Sequence, residues 1–157
     1  MIEVLGGYFA TFRPADNPKT CRPEWNEQAD FVAWMRHHWP DDSAMMIHPA
    51  NEGDMTAHYR QHQQMAGMLK GASDIILLKR GKHAPAALFE FKRCWHKAKP
   101  TSEQAMLLTL AVLDGKFAAV VNGFEAAKLA FIFYKKGLQL PDLGDRLQFP
   151  TIEGSGK

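Results

Sequence analysis

The chain has 157 residues, 46% of them apolar and 23% charged, with a formal net charge of +2. That is enough for one domain with a real core, too apolar for wholesale disorder, and without the 18-residue apolar window of a transmembrane helix. Residues 1–7 carry Glu3 and no basic stretch, so no signal peptide is expected, and two cysteines, Cys21 and Cys94, are too few for a disulfide framework. Both are expected as free thiols, and the cytoplasm is the expected compartment.

Residues 1–22 show no clear period, with a short strand expected from Tyr8 to Phe12. Pro23 suits the first turn of a helix. Trp25, Ala29, Val32, Met35 and Trp39 recur at three- and four-residue steps, so a helix is expected up to Trp39, where Pro40-Asp41-Asp42 stops it. Ala44 to Ile47 reads as a strand, His48 to Gly53 as a loop, and 56–69 as a helix ending near Gly71. The run Ile75-Ile76-Leu77-Leu78 marks a buried strand over 74–79. A turn at 80–85 leads into a second strand over 86–93. Thr101 to Leu113 is a helix closed by Asp114-Gly115, Phe117 to Val121 is a strand ended by Asn122-Gly123, and Phe124 to Tyr134 is a helix closed near Gly137. The tail, 138–157, is expected to be irregular. The order α-β-α-β-β-α-β-α predicts an α/β fold with a central mixed β-sheet flanked by helices, as one domain over 1–157 with its core at about 24–137.

The small net charge conceals an asymmetry. Residues 1–56 net −5, residues 57–100 net +7, and residues 101–157 net zero. Basic surface attracts phosphate. The basic stretch holds only two acids, Asp74 and Glu90. Alternation along Phe89-Glu90-Phe91-Lys92 turns Glu90 and Lys92 to one face. A hairpin centred on Lys82 sets Asp74 opposite Glu90, so all three share that face. Two carboxylates so placed repel unless a positive charge lies between them. Lys92 supplies part of it; a divalent cation would supply more, and oxygen ligands suit Mg²⁺ or Mn²⁺ over zinc. Such a cluster suits phosphodiester hydrolysis.

These residues, in this order, resemble the PD-(D/E)xK nuclease superfamily, and more closely its VRR-NUC branch, which is similar to archaeal-type Holliday junction resolvases. The matching stretch runs from about Glu24 to Ala127. It takes in His48-Pro49-Ala50-Asn51-Glu52-Gly53, Leu69-Lys70-Gly71-Ala72-Ser73-Asp74, Leu88-Phe89-Glu90-Phe91-Lys92-Arg93, Pro100-Thr101-Ser102-Glu103-Gln104 and Gly115-Lys116-Phe117-Ala118-Ala119-Val120-Val121. The resemblance implies a restriction-endonuclease-like core with Asp74 and Glu90 as metal ligands, completed by the backbone carbonyl of Phe91. It makes Lys92 the catalytic lysine and brings Gln104 into the site from the following helix. A first-helix glutamate also belongs to the pattern; Glu27 is chosen over Glu24, and Glu52 is a third candidate. Ser73 stands where the family places a proline. Thr101-x-x-Gln104 also reads as a helix capping box.

The expected function is a Mg²⁺- or Mn²⁺-dependent DNA endonuclease acting on branched DNA, a Holliday junction or a flap, in repair or recombination. His48, Asn51, Arg60, Arg93, Lys97 and Lys99 are the expected DNA contacts, and Trp95 and His96 are placed to stack on an unpaired base. A homodimer is expected, because cutting two strands needs two sites. The alternative is a non-catalytic DNA-binding or assembly module that keeps the nuclease fold. A third reading, a zinc hydrolase on His58 and His62, lacks the glutamate that zinc proteases place after the first histidine; Tyr59 stands there.

Overall fold

In the computed structural model the described residues are 2–5, 9–16, 18–49, 56–95 and 97–137. The expected elements all form. The first strands are β1 (Ile2–Leu5), which was not anticipated, and β2 (Phe9–Phe12). Helices α1 (Glu24–His38) and α2 (Pro40–Ser43), strand β3 (Met46–Ile47) and helix α3 (Ala57–Met65) follow. The chain continues through β4 (Ile75–Leu77), β5 (Ala87–Lys92), α4 (Ser102–Leu113), β6 (Phe117–Asn122) and α5 (Phe124–Lys136). Pro40 does not merely stop α1. It opens α2 from its first turn, where a missing N–H costs nothing.

The six strands run in the order β1-β2-β6-β5-β4-β3. β6 lies parallel to both β5 and β2, and the other pairs are antiparallel. Helix α4 makes the crossover that joins parallel neighbours β5 and β6. On one face Phe12, Phe89, Phe91 and Val121 pack against Phe31, Met35, Phe131 and Tyr134 from α1 and α5. On the other, Phe9, Leu88, Ala118 and Val120 pack against Leu108 and Ala111 of α4. Alternation along β5 therefore sends Glu90 and Lys92 to the α4 side of the sheet.

The β4–β5 hairpin is clamped to the end of α5. The Tyr134 hydroxyl donates to the Lys79 carbonyl at 2.5 Å, and the Lys82 N–H donates to the Tyr134 carbonyl at 3.0 Å. Gly81 lies so close that a Cβ there would come within 2.5 Å of the Tyr134 ring. With the turn held, Ile75 pairs with Phe89 and Leu77 with Ala87, the register expected for a turn centred on Lys82.

The buried stripe of α1 is Glu27, Phe31 and Met35, and Trp25, expected on the apolar face, is 69% exposed. Phe31 outranks the tryptophan because it meets Phe89 and Phe91 at ring separations of 5.9 and 5.6 Å. The free-thiol expectation is corrected: Cys21 and Cys94 are joined in a disulfide across 73 residues. Two cysteines so far apart give no spacing from which a pairing could be read. No helix among the described residues is long and apolar enough to cross a membrane.

Candidate active site

β5 delivers Glu90 and Lys92, and the residue before β4 delivers Asp74. Glu90 is 1% exposed. Its Oε1 accepts from Lys92 Nζ at 2.9 Å. No donor among the described residues reaches its Oε2. The Asp74 carboxyl is close enough that a proton shared between the two acids is the one hydrogen bond they can make. Burial, and next the charge of Asp74, push the Glu90 carboxyl up to about 8, against the pull of Lys92. Asp74 is anchored through Oδ2, which accepts the Phe91 N–H at 2.8 Å. These contacts bind β4's start to β5 and leave, in a carboxyl group next to a second acid, one buried oxygen without a donor among the described residues. A hard cation fits such a donor set.

Among the described residues no three His, Cys, Asp or Glu side chains gather as a metal-ligand set. Asp74 and Glu90 are therefore the side-chain donors in hand. Mg²⁺ commonly takes one or two carboxylates and fills its remaining positions with water and substrate oxygens.

The first-helix glutamate is where the geometry departs from expectation. Glu27, expected as a metal ligand, is buried and fully committed. Its Oε2 accepts the Phe124 N–H at 2.7 Å, so it caps the start of α5, and its Oε1 accepts from Arg22 Nε at 3.2 Å. A carboxylate at a helix N-terminus is stabilised by the N–H groups exposed there. Glu24 is the one that reaches the site side. It lines a cleft of about 420 Å³ with Trp25, Gln28, Asp74 and Arg93, and its Oε1 accepts the Arg93 N–H at 3.3 Å. Glu27→Ala is expected to cost about 2 kcal/mol, because the Phe124 N–H loses a charged acceptor. Glu24→Ala is expected to stay within about 0.5 kcal/mol of wild type, because Glu24 is only half-buried at the mouth of the cleft and water replaces it at the Arg93 N–H. Urea melts of the two variants check this, and equal losses would contradict the assignment.

Gln104, expected in the site, has its Oε1 in the capping box of α4, accepting the Thr101 N–H at 2.8 Å while Thr101 Oγ1 accepts the Gln104 N–H at 3.3 Å. It lines a separate cleft of about 410 Å³ with residues 68–72. Gly71 closes that region against α4. Its φ is +77°, and a Cβ there would come 2.7 Å from the Glu103 backbone. Ser73, in the family's proline position, is buried.

Of the expected DNA contacts, His48 lies behind Asp74, with Nδ1 2.6 Å from the Asp74 carbonyl and 3.1 Å from Gln28 Nε2. The carbonyl can only accept and the Gln28 amide nitrogen can only donate, so Nδ1 serves one of the two at a time, according to the ring tautomer. Arg93, Lys97 and Lys99 are exposed on the segment after β5. Arg60 stands on α3, which buries none of its residues. Asn51 and Glu52, like His96 and the tail 138–157, lie outside the described residues.

Asn122 was read only as the end of a strand. It pairs with Lys92 across β5 and β6, and its Nδ2 donates to the carbonyls of Arg93 at 2.9 Å and Trp95 at 3.0 Å, with Ala98 at 3.4 Å. It thus organises the basic loop from beneath. A strand-ending Asn beside the catalytic strand was its only trace in the sequence.

The mixed sheet thus gathers two carboxyl groups and a lysine at one end of a β-hairpin, beside a basic loop. No protein-family model matches the chain. No curated protein matches it either. A solved structure described as a VRR_NUC domain protein does, with a TM-score of 0.60 and 16% identity, over 77% of this chain and 99% of that one. The chain therefore has a VRR-NUC fold.

Proposed function

We propose that this chain is a Mg²⁺- or Mn²⁺-dependent DNA endonuclease that hydrolyses phosphodiester bonds in branched DNA, such as a Holliday junction or a flap. The observation that carries the reading is Glu90. Its carboxyl group is buried beside Asp74, with one oxygen bound to Lys92 and the other without a donor among the described residues. Asp74 and Glu90 would hold the cation, with the Phe91 carbonyl as a further donor. A cation held there would supply positive charge to the scissile phosphate and would acidify a water. Lys92 sets its Nζ next to Glu90, where it orients the attacking water and offsets charge gathering on the phosphate. Glu24 and Gln28 line the approach, and Arg93, Lys97 and Lys99 hold flanking phosphates. A homodimer supplies the second site that a two-strand cut requires.

The test is incubation with Mn²⁺ and labelled junction, flap and linear DNA. Wild type is expected to cut the branched substrates, and Lys92→Ala to be slower by on the order of a hundredfold or more. No cutting of any substrate, with DNA affinity that persists in EDTA, would favour a non-catalytic binding module instead.

A further inference from the structure

Tryptophan is a mostly buried residue, and this protein divides its four into two packed and two exposed. Trp34 and Trp39 pack on Phe131 at ring separations of 5.8 and 5.0 Å. Trp25 and Trp95 stand 69% and 48% exposed. Trp25 lines the cleft that holds Asp74, Glu24 and Arg93. Trp95 sits three residues beyond Lys92, on the loop that carries Arg93 and Lys97.

The backbone under Trp95 is unusually well held for an exposed loop. Its carbonyl accepts from Asn122 Nδ2 and from the Ala98 N–H, both at 3.0 Å. Its neighbour Cys94 is bonded to Cys21. The Arg93 N–H is bound to Glu24, and the Arg93 carbonyl to Asn122. Lys97 Nζ lies 5.6 Å from the Trp95 ring centroid. A flat apolar face is thus presented to solvent on a fixed frame with a cation beside it. Holding it on binding costs little, because the hydrogen bonds at Arg93, Trp95 and Ala98 already fix the backbone that carries it. The complementary ligand is a flat aromatic ring carrying an adjacent negative charge.

We propose that Trp25 and Trp95 are stacking platforms for unpaired nucleobases, so the site takes DNA with single-stranded nucleotides next to the scissile phosphate. The proposal rests on the nuclease reading of the cleft and deepens it. In a duplex the base faces are covered by their neighbours, and neither indole can stack on them; in an unpaired segment each base has a free face. Arg93, Lys97 and Lys99 pair with the phosphates on either side.

The full chain is titrated in EDTA, where no metal-dependent cutting occurs, with a fluorescein-labelled 20-nucleotide thymidylate strand and with that strand annealed to its complement. Anisotropy reads affinity, and indole emission reads stacking. The single strand is expected to bind tighter than the duplex and to quench emission. Trp95→Ala and Trp25→Ala are each expected to lower single-strand affinity about tenfold and leave duplex affinity unchanged. Trp95→Phe is expected to keep most of the affinity, which separates stacking from a disturbed loop. Single-strand affinity unchanged in both alanine variants, or equal binding of strand and duplex without quenching, overturns the proposal. Stacking without cutting in Mn²⁺ would overturn the nuclease reading alone; cutting without stacking would overturn this proposal alone.

Discussion

Glu90→Gln is expected to abolish metal-dependent cleavage, by on the order of a thousandfold or more, while leaving the metal-free fold as stable as wild type near pH 7. Most buried-charge substitutions damage both properties. Here the two separate because burial and the charge of Asp74 hold the Glu90 carboxyl up to about 8. Near pH 7 without metal it is mainly the neutral acid, and a glutamine is its neutral isostere. The amide oxygen still accepts from Lys92 Nζ, and the amide nitrogen gives Asp74 the donor that the shared proton otherwise supplies. What the amide cannot do is contribute charge to a cation. Cleavage assays in Mn²⁺ and thermal melts in EDTA measure the two effects separately. A large drop in melting temperature would show that Glu90 acts in the fold as an anion.

Metal-dependent stabilisation is expected to grow steeply with pH and level off above about pH 8. The sign follows from the raised carboxyl. In the unfolded chain Glu90 titrates near its ordinary value of 4.5, and in the folded chain at about 8. Folding then favours the protonated form, so its contribution is complete below 4.5 and is lost as pH rises through about 8. Across that window the metal-free protein loses stability by at most about 1.4 kcal/mol per pH unit from this group. A cation that replaces the proton needs the ionised carboxyl, so its affinity rises over the same window. Melts with and without Mn²⁺ should therefore diverge between pH 6 and pH 8. Glu90→Gln should remove both the decline and the divergence. A Mn²⁺ shift that is the same at pH 6 and pH 8 would contradict the assignment of Glu90 as the proton-exchanging ligand.

The legible part of the site was the part carried by one hairpin. Asp74, Glu90 and Lys92 were placed on one face from strand alternation and a turn centred on Lys82. The β4–β5 pairing has that register. Gln104 shows how one motif carries two readings: Thr101-x-x-Gln104 forms a capping box through the Gln104 Oε1, which occupies one of the two polar atoms at the end of that side chain. Asn122 and the Cys21–Cys94 pair left almost no trace, because each acts across many residues of chain. Asn122 reaches carbonyls 24 to 29 positions away, and the disulfide spans 73.

The amino-acid sequence by itself determined the order of elements from α1 onward apart from α2, the two faces of β5 and the carboxylate–lysine cluster. All three follow from local periods, two for a strand and 3.6 for a helix, read within windows of a few residues. Only the tertiary structure decided which glutamate of α1 faces the cleft. Glu24 and Glu27 lie only about 60° apart around the helix, so its rotation settles the choice. That rotation is set by Phe31, packed between Phe89, Phe91 and Phe131, which drives Glu27 inward to cap α5 and leaves Glu24 beside Arg93. The same packing sends Trp25 outward while Trp34 and Trp39 go to the core. Long-range contacts of this kind are absent from any short window, because they are fixed by how whole elements fit against one another.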